Sequence, residues 1–598
     1  MHSGQQLLEK NSIIISGLPP WAQELSKKYC SKTVNLYFVH GNIRDFLPHR
    51  DIQGSFSFVR INDYISEVIF GNRDIIVFYD KSAGLTFCLQ EMLSAYLERM
   101  HAQYPTEALA DFLSRDPVKA FAYLERYFIM NMKQNKRMVL IIDYSESLVP
   151  SEDIANLSET DRYCFVTLNR WANDPVFTNE DISVVMLTEN ITDINSRFTA
   201  SPSTVKIHIP LPNEETRIRF LEYLKTQEEI LVLERGLNTE KIGKLTSGLN
   251  LVNLHQLAAE TYQTIDANGK PEDNISRLSH TDSATLQFLK RKKQEIIEHE
   301  AGGLLEFVDT SCDLSYVAGN VFVKKRLYNA VRAIKQGRAD VLPMGYLISG
   351  PIGTGKSFMV SAFAGEIGIP MVRLCNFQAT QPGITQSNLE KTLNILKALT
   401  PVAVMVDEAD AVFGRRNAPA GESRIFAQIA GFMGNTQHRG NIIWFLITSR
   451  PDLLPIDLKR QGRAEEHLAL FYPETTKEKT EIFEALKKKL RIKLKDVHVP
   501  AIIRRIKFAV SGSDLEAILV RAQLTAAMES RTMVTTQDIT RTIEDFIPPA
   551  YPHEIELQNL VAVLECTGKE MLPARYQHLD RSKLVADIRE LKLLMGEK

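Results

Sequence analysis

No stretch of this chain reaches the roughly 18 consecutive apolar residues that a membrane-spanning helix needs, and its start, Met1-His-Ser-Gly-Gln-Gln6, has no basic run followed by an apolar one. Neither a spanning helix nor a cleaved leader is expected, and the compartment this suggests is the cytoplasm. Cysteine is sparse. Cys30, Cys88, Cys164, Cys312, Cys375 and Cys566 show no C-x-x-C spacing, which suggests neither a zinc knuckle nor a disulfide framework and leaves small apolar residues expected to be buried in a reducing compartment. Net charge is nearly absent: Lys+Arg total 71 against Asp+Glu 73, a formal −2. There is no global attraction to nucleic acid or anionic lipid, and charge can act only through local patches. What is there is ordinary globular material, 598 residues with 44% hydrophobic content, long enough for several domains with a core each.

The chemistry is concentrated in the second half. Leu347-Ile-Ser-Gly-Pro-Ile-Gly-Thr-Gly-Lys-Ser357 is an apolar strand breaking into a glycine loop, with a helix expected over 358–367. Gly350, Gly353 and Gly355 let backbone N–H groups turn inward on phosphates, Lys356 supplies a point charge and Ser357 a hydroxyl for Mg²⁺. Pro401-Val-Ala-Val-Met-Val-Asp-Glu-Ala-Asp410 reads as a buried parallel strand with carboxylates at its tip. Asp407 suits the metal and Glu408 the polarisation of an attacking water. A further strand, Asn441–Arg450, leads into Pro451-Asp-Leu-Leu454 and Arg460-Gln-Gly-Arg463.

That order of motifs, from about Asp313 to Asp545, resembles the AAA ATPases. The resemblance implies ATP and Mg²⁺ as ligands and a homo-oligomeric, hexameric ring. In that ring Arg460 and Arg463 are the arginine fingers offered to the neighbour's γ-phosphate. It implies a nucleotide held by Pro351, Ile352, Gly353, Thr354, Gly355, Lys356, Ser357 and Phe358. Val317, Ala318 and Gly319 would wrap the adenine, and Gly512 and Ser513 would open the lid helix. Four helices expected over 474–489, 502–508, 514–530 and 536–546 suit a small helical lid. Two positions depart from the family. Ser449 stands where members carry the Asn that orients water with Glu408, which implies slow hydrolysis. Gln381-Pro-Gly383 stands where protein-threading members carry an aromatic residue, with Phe377 nearby, which places remodelling in one or a few strokes ahead of threading.

The first half repeats the order in weakened form. Ile75–Tyr79 as strand and Asp80-Lys-Ser-Ala-Gly-Leu-Thr86 as turn take the place of a P-loop but lack its Gly-Lys-Ser/Thr ending. Arg137–Tyr144 looks like a second acidic strand, with Asp143 at the metal position and Tyr144 in place of the catalytic glutamate. Asp181–Asn190 follows as a sensor-like strand and Ser247–Leu257 as a lid helix. The fold class expected is α/β, two P-loop NTPase-like parallel-sheet modules each followed by a small helical lid. The domains expected are a degenerate module over 1–210, its lid over 211–275 and a linker helix over 276–310. An active module over 311–471, its lid over 472–548 and a C-terminal helical extension over 549–598 follow. In the linker, Lys290-Arg-Lys-Lys293 followed by Glu295, Glu298 and Glu300 reads as a solvated, charge-paired helix, or as a lever coupling the two rings or a small phosphate-binding patch. The extension, helical over 555–568 and 582–595, is the type that packs on a neighbouring lid or docks a partner.

Three functions are consistent with this reading. The first is a ring-forming ATPase that hydrolyses ATP in its second module to remodel or disassemble a protein complex, the protein substrate unspecified. The second is a nucleic-acid-dependent motor, which Asp407-Glu-Ala-Asp410 evokes; no aromatic-basic stretch nearby supports it. The third is a slow nucleotide-gated scaffold, suggested by Ser449 and the degenerate first module.

Overall fold

The computed structural model describes residues 18–50, 56–227, 239–267, 278–375, 382–413, 420–495, 497–548 and 551–596. The chain forms two compact units, 1–300 with 383–398, and 301–382 with 399–598.

The first unit is built on strands β1 (Leu36–Gly41), β2 (Ile75–Asp80), β3 (Gly84–Phe87), β4 (Met138–Ile142), β5 (Ile182–Thr188) and β6 (Thr204–Ile209). They form one six-stranded sheet in the order β3-β2-β4-β5-β1-β6, parallel except for the β2–β3 hairpin. β4 and β5 are buried at every residue, as continuous apolar runs covered by helices on both faces must be. Helices α1 (Glu214–Thr226), α2 (Leu251–Ala267) and α3 (Leu278–Glu300) follow, and Phe220, Leu221, Leu224, Leu251 and Leu254 form a small separate core with Phe58.

The second unit repeats the plan with β7 (Leu305–Phe307), β8 (Gly345–Ser349), β9 (Met371–Leu374), β10 (Val402–Val406), β11 (Ile442–Thr448) and β12 (Glu466–Ala469). Its sheet order is β7-β9-β10-β11-β8-β12, with β7 the antiparallel edge. Helices α4 (Val321–Lys335) and α5 (Lys356–Ile367) belong to this layer. The lid contains α7 (Thr476–Lys489), α8 (Gly512–Met528) and α9 (Thr536–Asp545), after α6 (Pro382–Ala398) in chain order. Phe483, Leu515, Ile518, Leu519 and Ile539 give the lid a core of its own. These three lid helices begin on capping boxes, at Thr475, Ser511 and Thr535, which makes their starts readable; the helix expected over 502–508 is instead a short one, Val499–Ile503, with no capping box.

The structure corrects several expectations. Superposing the two sheet orders pairs β1, not β2, with the P-loop strand β8, β4 with β10, and β5 with β11. The P-loop position of the first unit is therefore the turn after β1, Gly41-Asn-Ile-Arg-Asp45. A Cβ on Gly41 would meet the Ile209 carbonyl oxygen at 2.5 Å, as one on Gly350 would meet that of Leu470 at 2.1 Å. Asp80–Thr86 is instead a hairpin turn, in which the Asp80 carboxylate accepts from the N–H groups of Ser82 and Ala83 at 2.7 and 2.8 Å. Lys81 pairs with Asp161 at 3.3 Å.

The linker helix ends at Glu300, and 305–307 is an edge strand. Its end is tied to the first lid: Glu300 accepts from Asn250 at 3.2 Å and also from Asn253. Arg291 and Lys292 pair with Glu295 at 3.6 and 3.5 Å, whereas burial of Lys293 pulls its ammonium down to about 8, so the basic run is not uniformly solvated. Of the cysteines, Cys164 is buried and Cys30 exposed. The C-terminal helices α10 (Pro552–Glu565) and α11 (Arg581–Leu594) pack on their own unit, where Leu557, Leu560, Val561 and Ala562 bury against Ala469 and Phe471.

Phe377 and Gln381 lie outside the described residues. Helix α6, which opens at Pro382, is bonded to the strand ends of the first unit. Asn190 donates to Ser387 Oγ at 2.5 Å, Thr192 to Glu390 at 3.0 Å and Lys391 to Glu189 at 2.8 Å. No helix among the described residues is long and apolar enough to cross a membrane.

Candidate functional site

Strand β8 is buried throughout and delivers the chain to Gly350 at the carboxyl edge of the sheet, between β11 and β12. This is where open α/β sheets bind ligands. Lys356, the first residue of α5, donates to the Gly350 and Pro351 carbonyls at 2.9 and 3.0 Å and to Ser449 Oγ at 3.1 Å. All its N–H groups are thereby engaged, by oxygens that phosphate oxygens can replace. Burial brings the Lys356 ammonium down to about 8, opposed by the charges of Asp407 and Asp410. Ser357 Oγ donates to Asp407 Oδ2 at 2.8 Å, a juxtaposition of hard oxygens at the end of β10 that suits Mg²⁺.

Glu408 adopts a left-handed φ of 48° and is exposed. Its N–H is held by the Asp407 carboxylate at 3.1 Å. The same device recurs in the first unit: Tyr144 has φ 51°, and its N–H goes to Asp143 at 2.8 Å. Such a kink in a non-glycine residue costs of order 1–3 kcal/mol, so its presence twice marks the two strand ends as equivalent.

Beside the loop lies a cavity lined by Val317, Ala318, Asn320, Gly353, Thr354, Gly355, Phe358, Gly512 and Ser513 together with Ile482, Leu486 and Lys489. Its walls are largely apolar and come from both the α/β layer and the lid, as a purine requires. Ser513 N–H donates to the Gly353 carbonyl at 3.2 Å, joining lid to P-loop directly. Pro351 and Ile352 are not in this lining; Ile352 is 67% exposed. Gly319 adopts φ 74° against Ile482 and is not part of this lining.

Arg460 and Arg463 gather on Asp457, Arg460 Nε at 3.6 Å from its carboxylate and Arg463 Nη1 donating to its carbonyl at 2.8 Å. The Arg460 side chain is 60% exposed and that of Arg463 13%, so Arg460 is the one presented outward.

Several residues were missed by sequence reasoning. Thr448 donates to Asp410 at 2.5 Å and accepts the Arg450 N–H at 2.8 Å, fixing the strand end that carries Ser449. Tyr472 donates to the Ile352 carbonyl at 2.8 Å and Gln558 accepts the Ile352 N–H at 3.1 Å. Asp410 was visible in the acidic tetrapeptide; nothing local marks Gln558, 206 residues from Ile352.

In the first unit the corresponding place is filled by protein. Arg44 donates to Asp143 at 2.8 Å, lies 3.7 Å from Glu189, and sets its guanidinium 4.0 Å from the Tyr144 ring centroid. The Asp45 carboxylate accepts the N–H groups of Leu251 and Val252 at 2.8 and 3.0 Å, capping the lid helix.

Comparison with known proteins agrees with this architecture. Residues 9–210 match the N-terminal Rossmann-like domain of AAA+ chaperones, 215–302 their second helical domain, and 346–472 the ATPase family associated with various cellular activities. The chain is an AAA-family ATPase. An AAA domain-containing protein, ycf46, of Guillardia theta is 22% identical over 75% of this chain and 82% of its own length. A proteasome-activating nucleotidase of Pyrococcus abyssi is 29% identical over 34% of this chain. The chloroplastic ATP-dependent zinc metalloprotease FTSH 6 of Arabidopsis thaliana is also 29% identical over 34%. This AAA ATPase spans 52% of the nucleotidase and 30% of the metalloprotease; those likenesses are confined to part of the chain.

Proposed function

We propose that this AAA ATPase hydrolyses ATP in its second module, assembles as a hexameric ring, and uses the cycle to remodel or disassemble a protein complex. The observation that carries the reading is the convergence of two hydrogen-bonded pairs at the P-loop, Lys356 with Ser449 and Ser357 with Asp407. Val317, Ala318 and Gly319 and the lid residues Gly512 and Ser513 hold the adenosine end. The backbone from Pro351 to Phe358 and the Lys356 ammonium hold the phosphates. Ser357 and Asp407 would hold Mg²⁺, which when bound offsets the charge of the β- and γ-phosphates. Glu408, projected from its kinked position, orients and polarises the attacking water. Ser449, already within reach of Lys356, accompanies it, and its short hydroxyl implies slow turnover. Arg460 and Arg463 would act on the neighbouring subunit's γ-phosphate, a contribution of roughly 10³ to 10⁵ in rate.

The first module serves as ring partner or substrate platform. Its phosphate position is taken by Arg44, which already neutralises Asp143. Helix α6, which lies between β9 and β10 in the chain, belongs to the first unit and is bonded to its strand ends.

Glu408→Gln should retain ATP binding and oligomerisation but lose turnover, because Lys356 and the metal ligands stay. Phosphate release equal to the parent's would show that Glu408 is not the catalytic residue.

A further inference from the structure

Helices α10 and α11 lie beyond the residues that any of the three family models match, yet they bond directly to two parts of the ATPase site. Gln558 is 8% exposed and accepts the Ile352 N–H at 3.1 Å, while Tyr472 donates to the carbonyl of the same residue at 2.8 Å. The tip of the P-loop is thus gripped by its backbone on both sides. About two turns further along α10, Glu565 accepts from Lys459 at 2.5 Å, and Lys459 also donates to the Pro451 carbonyl at 3.1 Å. Lys459 directly precedes Arg460. From α11, Lys592 reaches Asp452 at 2.6 Å, which takes both arms of Arg450 at 3.0 Å. One buried apolar seam fixes the helices against β12 and Phe471, so these contacts are made from a rigid support.

We propose that the C-terminal helix pair is a positioning element for ATP turnover. Gln558 holds the P-loop ready for nucleotide, and Glu565 with Lys592 holds the segment that presents Arg460. The proposal rests on the ATPase reading above. Because one helix touches both places, it links the nucleotide side of a subunit to the arginine that subunit offers its neighbour. Gln558, Glu565 and Lys592 touch no reacting atom and act through Ile352, Lys459 and Asp452.

The two contacts predict a split in kinetic parameters that a merely structural role would not produce. Gln558→Met keeps the side-chain length and removes the strong acceptor. It should raise the Kd for a fluorescent ADP analogue about five- to tenfold, the value of one hydrogen bond. It should also speed hydrogen exchange in the peptide containing Ile352, with turnover at saturating ATP within twofold. Glu565→Gln should do the reverse: unchanged Kd, turnover at saturating ATP lowered about five- to tenfold. Parent-like Kd and exchange in Gln558→Met, or a Glu565→Gln effect confined to Kd, would overturn the proposal. If Gln558→Met does not fold, exchange in the ligand-free parent decides, since an unprotected Ile352 amide is incompatible with the bond. Lys356→Ala separates the two levels. Parent-like ADP binding by that variant refutes the nucleotide site itself, whereas loss of binding there with a silent Gln558→Met refutes only the positioning role.

Discussion

Gly353 and Gly355 offer an internally controlled test of how the lid is coupled to the P-loop. Both sit at nearly the same left-handed φ, 83° and 82°, so alanine at either should cost about 1–2 kcal/mol in backbone strain. Their surroundings differ. A Cβ on Gly355 meets nothing within 4 Å, whereas one on Gly353 would lie 2.7 Å from Ser511 Oγ and 3.0 Å from Ser511 Cβ. Ser511 cannot simply swing away, because its hydroxyl caps α8, accepting the Asp514 N–H at 3.1 Å and donating to the Asp514 carboxylate at 2.7 Å. Losing such a cap costs about 1 kcal/mol. Gly353→Ala should therefore carry the shared strain plus about 1 kcal/mol localised at the start of α8. Hydrogen–deuterium exchange of the ligand-free protein reads this locally. The peptide spanning Ser511–Leu515 should exchange about fivefold faster in Gly353→Ala and at the parent rate in Gly355→Ala, while the P-loop peptide is perturbed in both. Equal exchange at Ser511–Leu515 in the two variants would refute the claim that lid and loop are in steric contact through Gly353.

Further outcomes follow from the same geometry. Nucleotide binding should restore charge-stabilising partners to Lys356, whose ammonium lies near 8 in the ligand-free site. The complex then binds more protons than the free protein, so affinity should fall as pH rises above about 8, with proton uptake seen by calorimetry in buffers of different ionisation enthalpy; a flat affinity from pH 7 to 9.5 would contradict it. Arg44→Ala should destabilise the first unit by about 1–2 kcal/mol, since a partly screened, charge-assisted bond to Asp143 is lost. It should leave nucleotide stoichiometry unchanged, with differential scanning calorimetry and nucleotide titration as the checks. Mixing Lys356→Ala with Arg460→Ala subunits should restore partial phosphate release; absence of recovery at every ratio would argue against fingers acting between subunits.

The second module was legible because its chemistry is local. Gly350 to Ser357 is one contiguous turn between a strand and a helix, and Val402 to Glu408 is one apolar run ending in carboxylates, so spacing alone carried their meaning. Lid helices α7, α8 and α9 were readable for the same reason, each opening on a capping residue. The first module's phosphate position was not. Leu36–Gly41 and Ile75–Asp80 are both short apolar strands entering turns, and only hydrogen bonding between distant strands decides which lies beside β5 and β6. That pairing places Arg44, rather than Lys81, opposite Asp143. Gln558 was hidden for a related reason: an amide in the middle of an amphipathic helix has no distinctive neighbours in sequence, and its role exists only because apolar packing seats that helix against the P-loop. By itself, the sequence determined the glycine loop from Gly350 to Ser357 and the acidic strand end at Asp407 and Glu408, since a loop shaped to cradle phosphate is built from consecutive residues. Tertiary structure alone decided that Arg44 meets Asp143 and that Gln558 and Tyr472 hold Ile352, because those contacts join residues that are far apart along the chain.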